Sequence, residues 1–252
     1  MMTRMIARAL FTLLSVALAI AGAGPTRAEE KLDPIVVELF TSQGCSSCPP
    51  ADEFLGDLAQ QPGILALSFH VDYWDYIGWK DPYALHLSTQ RQRKYAHTFD
   101  IPYVYTPQMV VQGSVQNVGS DRSDVESAIA QLRQKPPAHP SLNLERRDDG
   151  SLTVRVGAGE VRGTATVWLV CFDRRHETEV SRGENAGTRL VDHHVVRQIE
   201  AIGTWNGEAL ELSVAASVVG DYGSDTDREV AALVQSEGTG PILVAAVLQN
   251  RH

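Results

Sequence analysis

Between Ile35 and Leu132 the apolar residues come in short continuous runs separated by stripes of helical period, whereas beyond Ser141 they alternate with polar ones. Ile35-Val36-Val37-Glu38-Leu39-Phe40 is a β-rich run suited to a buried strand. Ala51, Phe54, Leu55, Leu58 and Ala59 then follow at i, i+3, i+4, i+7 and i+8, an amphipathic helix that Gln61-Pro62-Gly63 ends. Ile64 to Val71 reads as a second buried strand. The stretch between Pro82 and Pro102 lacks Gly and Pro and is rich in helix formers, with Arg91, Arg93 and Lys94 expected on a solvated face. Met109-Val110-Val111 and Val115 to Val118 flank Gly113-Ser114 as a hairpin. The capping box Ser123-Asp124-Val125-Glu126 opens a helix that buries Val125, Ala128, Ile129 and Leu132. The predicted order is β-α-β-α-β-β-α.

Lys135-Pro136-Pro137-Ala138-His139-Pro140 ends that pattern, and residues 135–140 are read as a linker. Leu142 to Leu144 and Leu152 to Val156 alternate about Asp149-Gly150. Ala209 to Val214 follows Asn206-Gly207, and Ile242 to Leu248 follows Gly238-Thr239-Gly240-Pro241. Short strands with regular turn signals predict an all-β sandwich over residues 141–252. The expected fold is an α/β domain over residues 31–134 followed by that sandwich.

The first 28 residues change the picture of where the chain works. Arg4 and Arg8 precede an apolar run from Ala9 to Ala21, and Thr26-Arg27-Ala28 offers a small-x-small cleavage site. This reads as a secretory signal cut after Ala28, too short to span a bilayer comfortably, with an uncleaved membrane anchor as the alternative. Its removal takes three arginines and moves the net charge from −9 to −12. A periplasmic or secreted location follows, with no membrane span after cleavage. The acidic balance argues against a nucleic-acid partner.

Only three cysteines occur in 252 residues, and two of them form Cys45-Ser46-Ser47-Cys48 between the first strand and the first helix. Wound into one helical turn, that spacing lets the sulfurs join. A helix start favours a thiolate. Cys45, the more exposed of such a pair, is expected to attack, and Cys48 to resolve the mixed disulfide. Metal binding and a purely structural disulfide are the other readings. The pair supplies only two ligands, so His70 would have to complete a Cys45, Cys48, His70 set for copper, its other reading being a strand-end histidine bonded to backbone.

With this order, the CxxC and Thr106-Pro107 just before the third strand, the first half resembles the thioredoxin-like superfamily. The resemblance implies that Pro107 is a cis-proline beside the cysteines, and that the backbone of Thr106 faces an extended substrate. It also implies a buried carboxylate below the cysteines, for which Glu38 is the candidate although it lies one residue further from Cys45 than usual; a carboxylate merely paired by a cation is its other reading. A finer similarity is to the family catalogued as domain of unknown function 1223. Phe40 to Asp52, His70 to Asp75, Tyr105 to Val111 and Gly183-Glu184-Asn185 carry it. Two departures from ordinary thioredoxins stand out. The Ser46-Ser47 dipeptide has no histidine to stabilise a thiolate, and Pro49-Pro50 removes donors from the early helix.

Asp72 to Trp79 is aromatic for a loop, and Trp74 and Trp79 are candidates to wall a substrate groove. Their alternative is to anchor the loop. Gly183-Glu184-Asn185-Ala186-Gly187 is a turn needing positive φ, or with His193-His194 a binding patch. Cys171 sits in a run apolar on both faces and is expected to be buried and inert, with a mixed disulfide to Cys45 or to another chain as the alternative. The residues therefore predict a thiol–disulfide oxidoreductase. Cys45, Cys48, Pro107 and Glu38 form its reactive set, and a protein or small-molecule thiol or disulfide is its partner. No cofactor is required. A copper-binding protein and a non-enzymatic interaction module are the alternatives.

Overall fold

A computed structural model describes residues 33–134, 138–222 and 227–249. The expected signal segment 1–28 and linker positions 135–137 lie outside the described residues. The first strand, β1 (Ile35–Thr41), leads to α1 (Pro49–Ala59), β2 (Ile64–His70) and α2 (His86–Thr98), with a single 3₁₀ turn at Asp75–Ile77 before α2. The hairpin β3 (Gln108–Val111) and β4 (Val115–Val118) and the helix α3 (Arg122–Gln134) complete the predicted order. The second half contributes β5 (Leu142–Arg146), β6 (Leu152–Val156), the long β7 (Ala165–Glu179) and β8 (Arg189–Trp205), then β9 (Leu210–Val214). A short helix, α4 (Ala216–Val219), precedes β10 (Arg228–Ser236) and β11 (Ile242–Val247).

The expectation of an α/β domain followed by a separate sandwich is not what these strands build. They form one mixed eight-stranded sheet, ordered β11-β10-β7-β8-β2-β1-β3-β4, and a three-stranded sheet β5-β6-β9. The four helices among the described residues are short, and the protein is mostly β. β8 makes the junction. Its Val195 pairs in parallel with Ser68 of β2, while the same strand runs antiparallel to β7. Buried edges of β2 and β7 each need a neighbour, and β8 lies between them, paired with β7 along most of its length and with β2 at Ser68–Val195.

The side chains close the same seam. Period two along β1 sends Val36, Glu38 and Phe40 to one face and Val37 and Leu39 to the other. On the first face a single apolar cluster runs from Val36, Phe40 and Phe69 through Val196 and Phe172 to Leu233 and Ala245. One core thus crosses what had been read as two domains. On the opposite face α1 and α3 cover β1, β2 and β3 through Leu39, Phe54, Leu55, Met109 and Ile129. The small sheet packs Val154, Leu152 and Val214 against Val167, Leu169 and Val244 of β7 and β11. No helix among the described residues is long and apolar enough to cross a membrane.

Candidate functional site

β1 and β2 are parallel, with Thr41 opposite His70, and β3 starts with Gln108 opposite Phe40. The carboxyl ends of β1 and β2 and the start of β3 therefore meet along one edge, where open α/β sheets commonly hold their sites. The chain leaving β1 turns through Ser42, Gln43 and Gly44 into Cys45, and Cys48 is the residue that caps α1. Cys45 and Cys48 are joined as a disulfide with their Cα atoms 5.4 Å apart. Both are buried, at 1% and 0% exposure, while Ser46 and Ser47 between them are exposed. Pro49 and Pro50 occupy the first two helical positions, where a missing N–H costs the helix nothing.

Four segments enclose the pair. Gly44 lies so close to the aromatic loop that a Cβ there would meet Trp74 Cβ at 3.1 Å and Ile77 Cδ1 at 3.3 Å. Trp74 Nε1 donates to Thr106 Oγ1 at 2.8 Å, tying that loop to the Thr106–Pro107 peptide, which is cis. Pro107 is buried and reaches toward α1: a Cβ on Gly119 would sit 3.0 Å from Pro107 Cβ and 3.2 Å from Ala51 Cβ. Trp79 Nε1 donates to Gln43 Oε1 at 3.1 Å. Both indoles are half-buried and hydrogen-bonded within the chain. From the β7–β8 turn, Asn185 Nδ2 donates to the carbonyls of Gln43 and Cys45, and Glu184 Oε2 accepts the Ser46 N–H at 3.2 Å.

Beneath the disulfide lies a buried polar cluster. His70 Nδ1 is 2.7 Å from Asp81 Oδ2, and His70 Nε2 faces Asp192 Oδ1 at 3.8 Å. Gln43 joins both carboxylates, its backbone N–H donating to Asp81 Oδ2 at 2.9 Å and its side-chain amide to Asp192 Oδ2 at 2.7 Å. Burial alone would push the imidazole toward neutrality, but Asp81, Asp192 and Asp52 outweigh it and hold His70 up at about 9. Burial pushes Asp81 up as well, yet His70 and the bonds from Gln43 and Tyr83 bring it below the usual carboxylate range.

Asp52 stands one helical turn beyond Cys48, and its N–H bonds to the Cys48 carbonyl at 3.1 Å. Burial, followed by the charge of Asp192, raises Asp52 to about 8. Pro49, Asp52 and Glu53 of α1 and Arg189, Leu190, Val191 and His193 of β8 line an open cleft of about 320 Å³. Asp52 is thus a buried carboxyl held above the usual carboxylate range, with a solvent cleft at its edge.

Glu38 points the other way. Being even-numbered on β1, it lies on the α2 face, where Arg91 Nε and Nη2 donate to its oxygens at 2.7 and 3.2 Å and the Tyr95 hydroxyl donates to Oε2. Arg91, expected on a solvated face, is 5% exposed, and Glu38 is fully buried. The guanidinium was drawn inward because Glu38 interrupts an apolar strand and needs a cation there. Among the described residues no three His, Cys, Asp or Glu side chains form a group that could hold a metal ion. His70 directs its ring nitrogens at Asp81 and Asp192. Cys171 is fully buried on β7, and burial raises its thiol to about 12.

Several of these residues escaped the sequence reading. Asp81 and Asp192 are single acids in polar surroundings, and nothing local marks them. Asp52 did carry a signal: three and seven residues before Leu55 and Ala59, it borders the apolar stripe of α1, where a carboxylate is out of place.

Fold and site together define a disulfide-bearing protein of a mixed β-sheet with helices on both faces, its cysteine pair set over a buried acid cluster. The chain belongs to the family described as Protein of unknown function (DUF1223), whose model matches residues 36–235. It is similar to a crystal structure of a protein from Agrobacterium tumefaciens, with 30% identity over 86% of this chain and 95% of that one, and a TM-score of 0.75. No curated protein matches the chain.

Proposed function

We propose that the chain is a periplasmic or secreted thiol–disulfide oxidoreductase that works through Cys45 and Cys48. The observation that carries this reading is the Cys45–Cys48 disulfide at the β1–α1 junction, with the protonatable carboxyl of Asp52 one turn below it. In the dithiol form, Cys45 attacks one sulfur of a substrate disulfide and expels the other as a thiolate. Cys48 then attacks Cys45, the mixed disulfide breaks, and the substrate leaves with both of its sulfurs reduced. The proton that Cys48 gives up needs an acceptor. Glu38 is committed to Arg91 and Tyr95 on the far face of the sheet, so Asp52 is the better candidate. Pro107 and Thr106 border the same edge, and Trp74 and Trp79 hold the aromatic loop beside it.

The reading is tested by turnover of a fluorogenic glutathione disulfide in the presence of dithiothreitol. Turnover is expected to require Cys45: Cys45→Ser loses it, and Cys48→Ser, mixed with the same disulfide without dithiothreitol, keeps a mixed disulfide on Cys45. Equal rates for wild type and Cys45→Ser would sink the proposal.

A further inference from the structure

We infer that the Cys45–Cys48 pair is an electron donor: its surroundings leave a Cys45 thiolate poorly stabilised, so the disulfide is favoured and the dithiol is a strong reductant. The inference rests on the exchange function proposed above and adds its direction.

The argument is an accounting of donors. A thiolate at a helix start is normally held by free backbone N–H groups and by nearby cations. Here the N–H groups around the motif are already engaged or missing, that of Ser47 apart. Gln43 donates to Asp81 and Gly44 to Ser42 Oγ. Cys45 donates to Ser42 O at 3.0 Å and Cys48 to Cys45 O at 3.2 Å. Ser46, the residue after the attacking sulfur, gives its N–H to the Glu184 carboxylate. Pro49 and Pro50 have none to give, and Ala51 and Asp52 both donate to Cys48 O. The Ser47 hydroxyl lies 3.4 Å from Cys45 Sγ and can donate to it, a single neutral donor in place of a cation.

Charge acts in the same direction. Glu184 brings a carboxylate to the motif itself. Below it the cluster of His70, Asp81 and Asp192 places one cation between two carboxylates. Arg189, at the rim of the α1–β8 cleft, is paired with Glu177 and Glu179. A reduced form that is stabilised makes a pair oxidising, and one that is not makes it reducing. The balanced step is therefore reduction of a substrate disulfide. The dithiol of Cys45 and Cys48 gives two electrons and two protons, one substrate S–S bond breaks, and the Cys45–Cys48 bond forms. A lower-potential dithiol protein must then return the two electrons to close the cycle.

The test is the equilibrium of the full chain with glutathione, read by alkylation and mass. In a large molar excess of reduced over oxidised glutathione the pair is expected to stay more than about nine-tenths disulfide, and to open with dithiothreitol. Glu184→Gln is expected to raise the dithiol-to-disulfide ratio about threefold, equivalent to about 14 mV for this couple. The effect should shrink in high salt, because Glu184 is exposed. Pro49→Ala with Pro50→Ala returns two donors and is expected to raise the ratio further, about tenfold. A wild-type pair that is mostly dithiol in that mixture overturns the inference, as do variants that lower the ratio or leave it unchanged. A reducing pair that turns over no disulfide would instead overturn the exchange function, so the two failures are distinct.

Discussion

Asn185 holds the loop of Cys45 through one nitrogen: its Nδ2 lies 2.9 Å from the carbonyl of Gln43 and 3.0 Å from that of Cys45. The side chain is buried and comes from the turn between β7 and β8, about 140 residues away in the chain. Asn185→Ala leaves the Gln43 carbonyl without its donor and the Cys45 carbonyl with that of Cys48 alone, and is expected to cost about 1–3 kcal/mol of stability, seen as a lower urea midpoint. Because Cys45 is otherwise enclosed, the same substitution should speed its reduction by dithiothreitol several-fold. An unchanged rate would show that the β7–β8 turn does not control access.

Glu38 and Arg91 form a buried ion pair with Tyr95 and Gln235 around it. Removing one partner strands the other, so Glu38→Gln or Arg91→Met is expected to destabilise by about 3–5 kcal/mol in denaturant titrations. Replacing both by methionine should cost less than the sum of the single changes. Glu38→Gln should leave the glutathione equilibrium of the cysteine pair where it was, since Glu38 lies on the opposite face of β1. A shifted equilibrium would restore Glu38 as the proton acceptor.

Protonation of the acid cluster links stability to pH. His70 in the fold is raised to about 9 from an ordinary 6.5. Its contribution is fully present below pH 6.5 and is lost as pH rises through 9. Asp52, raised to about 8, also binds its proton more tightly folded than unfolded, so its contribution fades as pH rises from about 4 to 8. Asp81 is lowered and works the other way, losing its contribution as pH falls through the acid range. The urea midpoint is therefore expected to decline between pH 6 and 9, in the window set by Asp52 and His70. Asp52→Asn, which keeps a neutral group there at every pH, should flatten the part of that decline below pH 8. A midpoint that rises over this range would contradict the assignment.

Cys171 and the reactive pair should separate by alkylation. With its thiol buried and raised to about 12, Cys171 is expected to resist iodoacetamide in the folded, reduced chain and to react only in denaturant. Peptide mapping should find label on Cys45 first.

The order of elements up to α3 was legible because each is signalled locally: a β-rich run, a helical stripe, a capping box. The motif Cys45-Ser46-Ser47-Cys48 was legible for the same reason. β8 was not. Its Arg189–Trp205 sequence mixes polar and apolar residues, since one end pairs with β7 alone while the middle also lies beside β2. Without β8 the alternating strands after residue 141 read as a separate sandwich, and the core that runs from Phe40 to Ala245 stayed hidden.

The sequence by itself determined where the cysteine pair lies, which residues join it to a strand and a helix, and which Pro follows a Thr at the start of the third strand. Tertiary structure alone decided which acid lies below the pair. Side chains on a strand alternate faces, so Glu38 went to Arg91, and a helix returns every fourth residue, so Asp52 fell beneath Cys48. It also decided that Glu184, Asn185 and Asp192 complete the site. A local pattern records what a segment buries, but the partner that it buries against is set only when distant strands share one sheet.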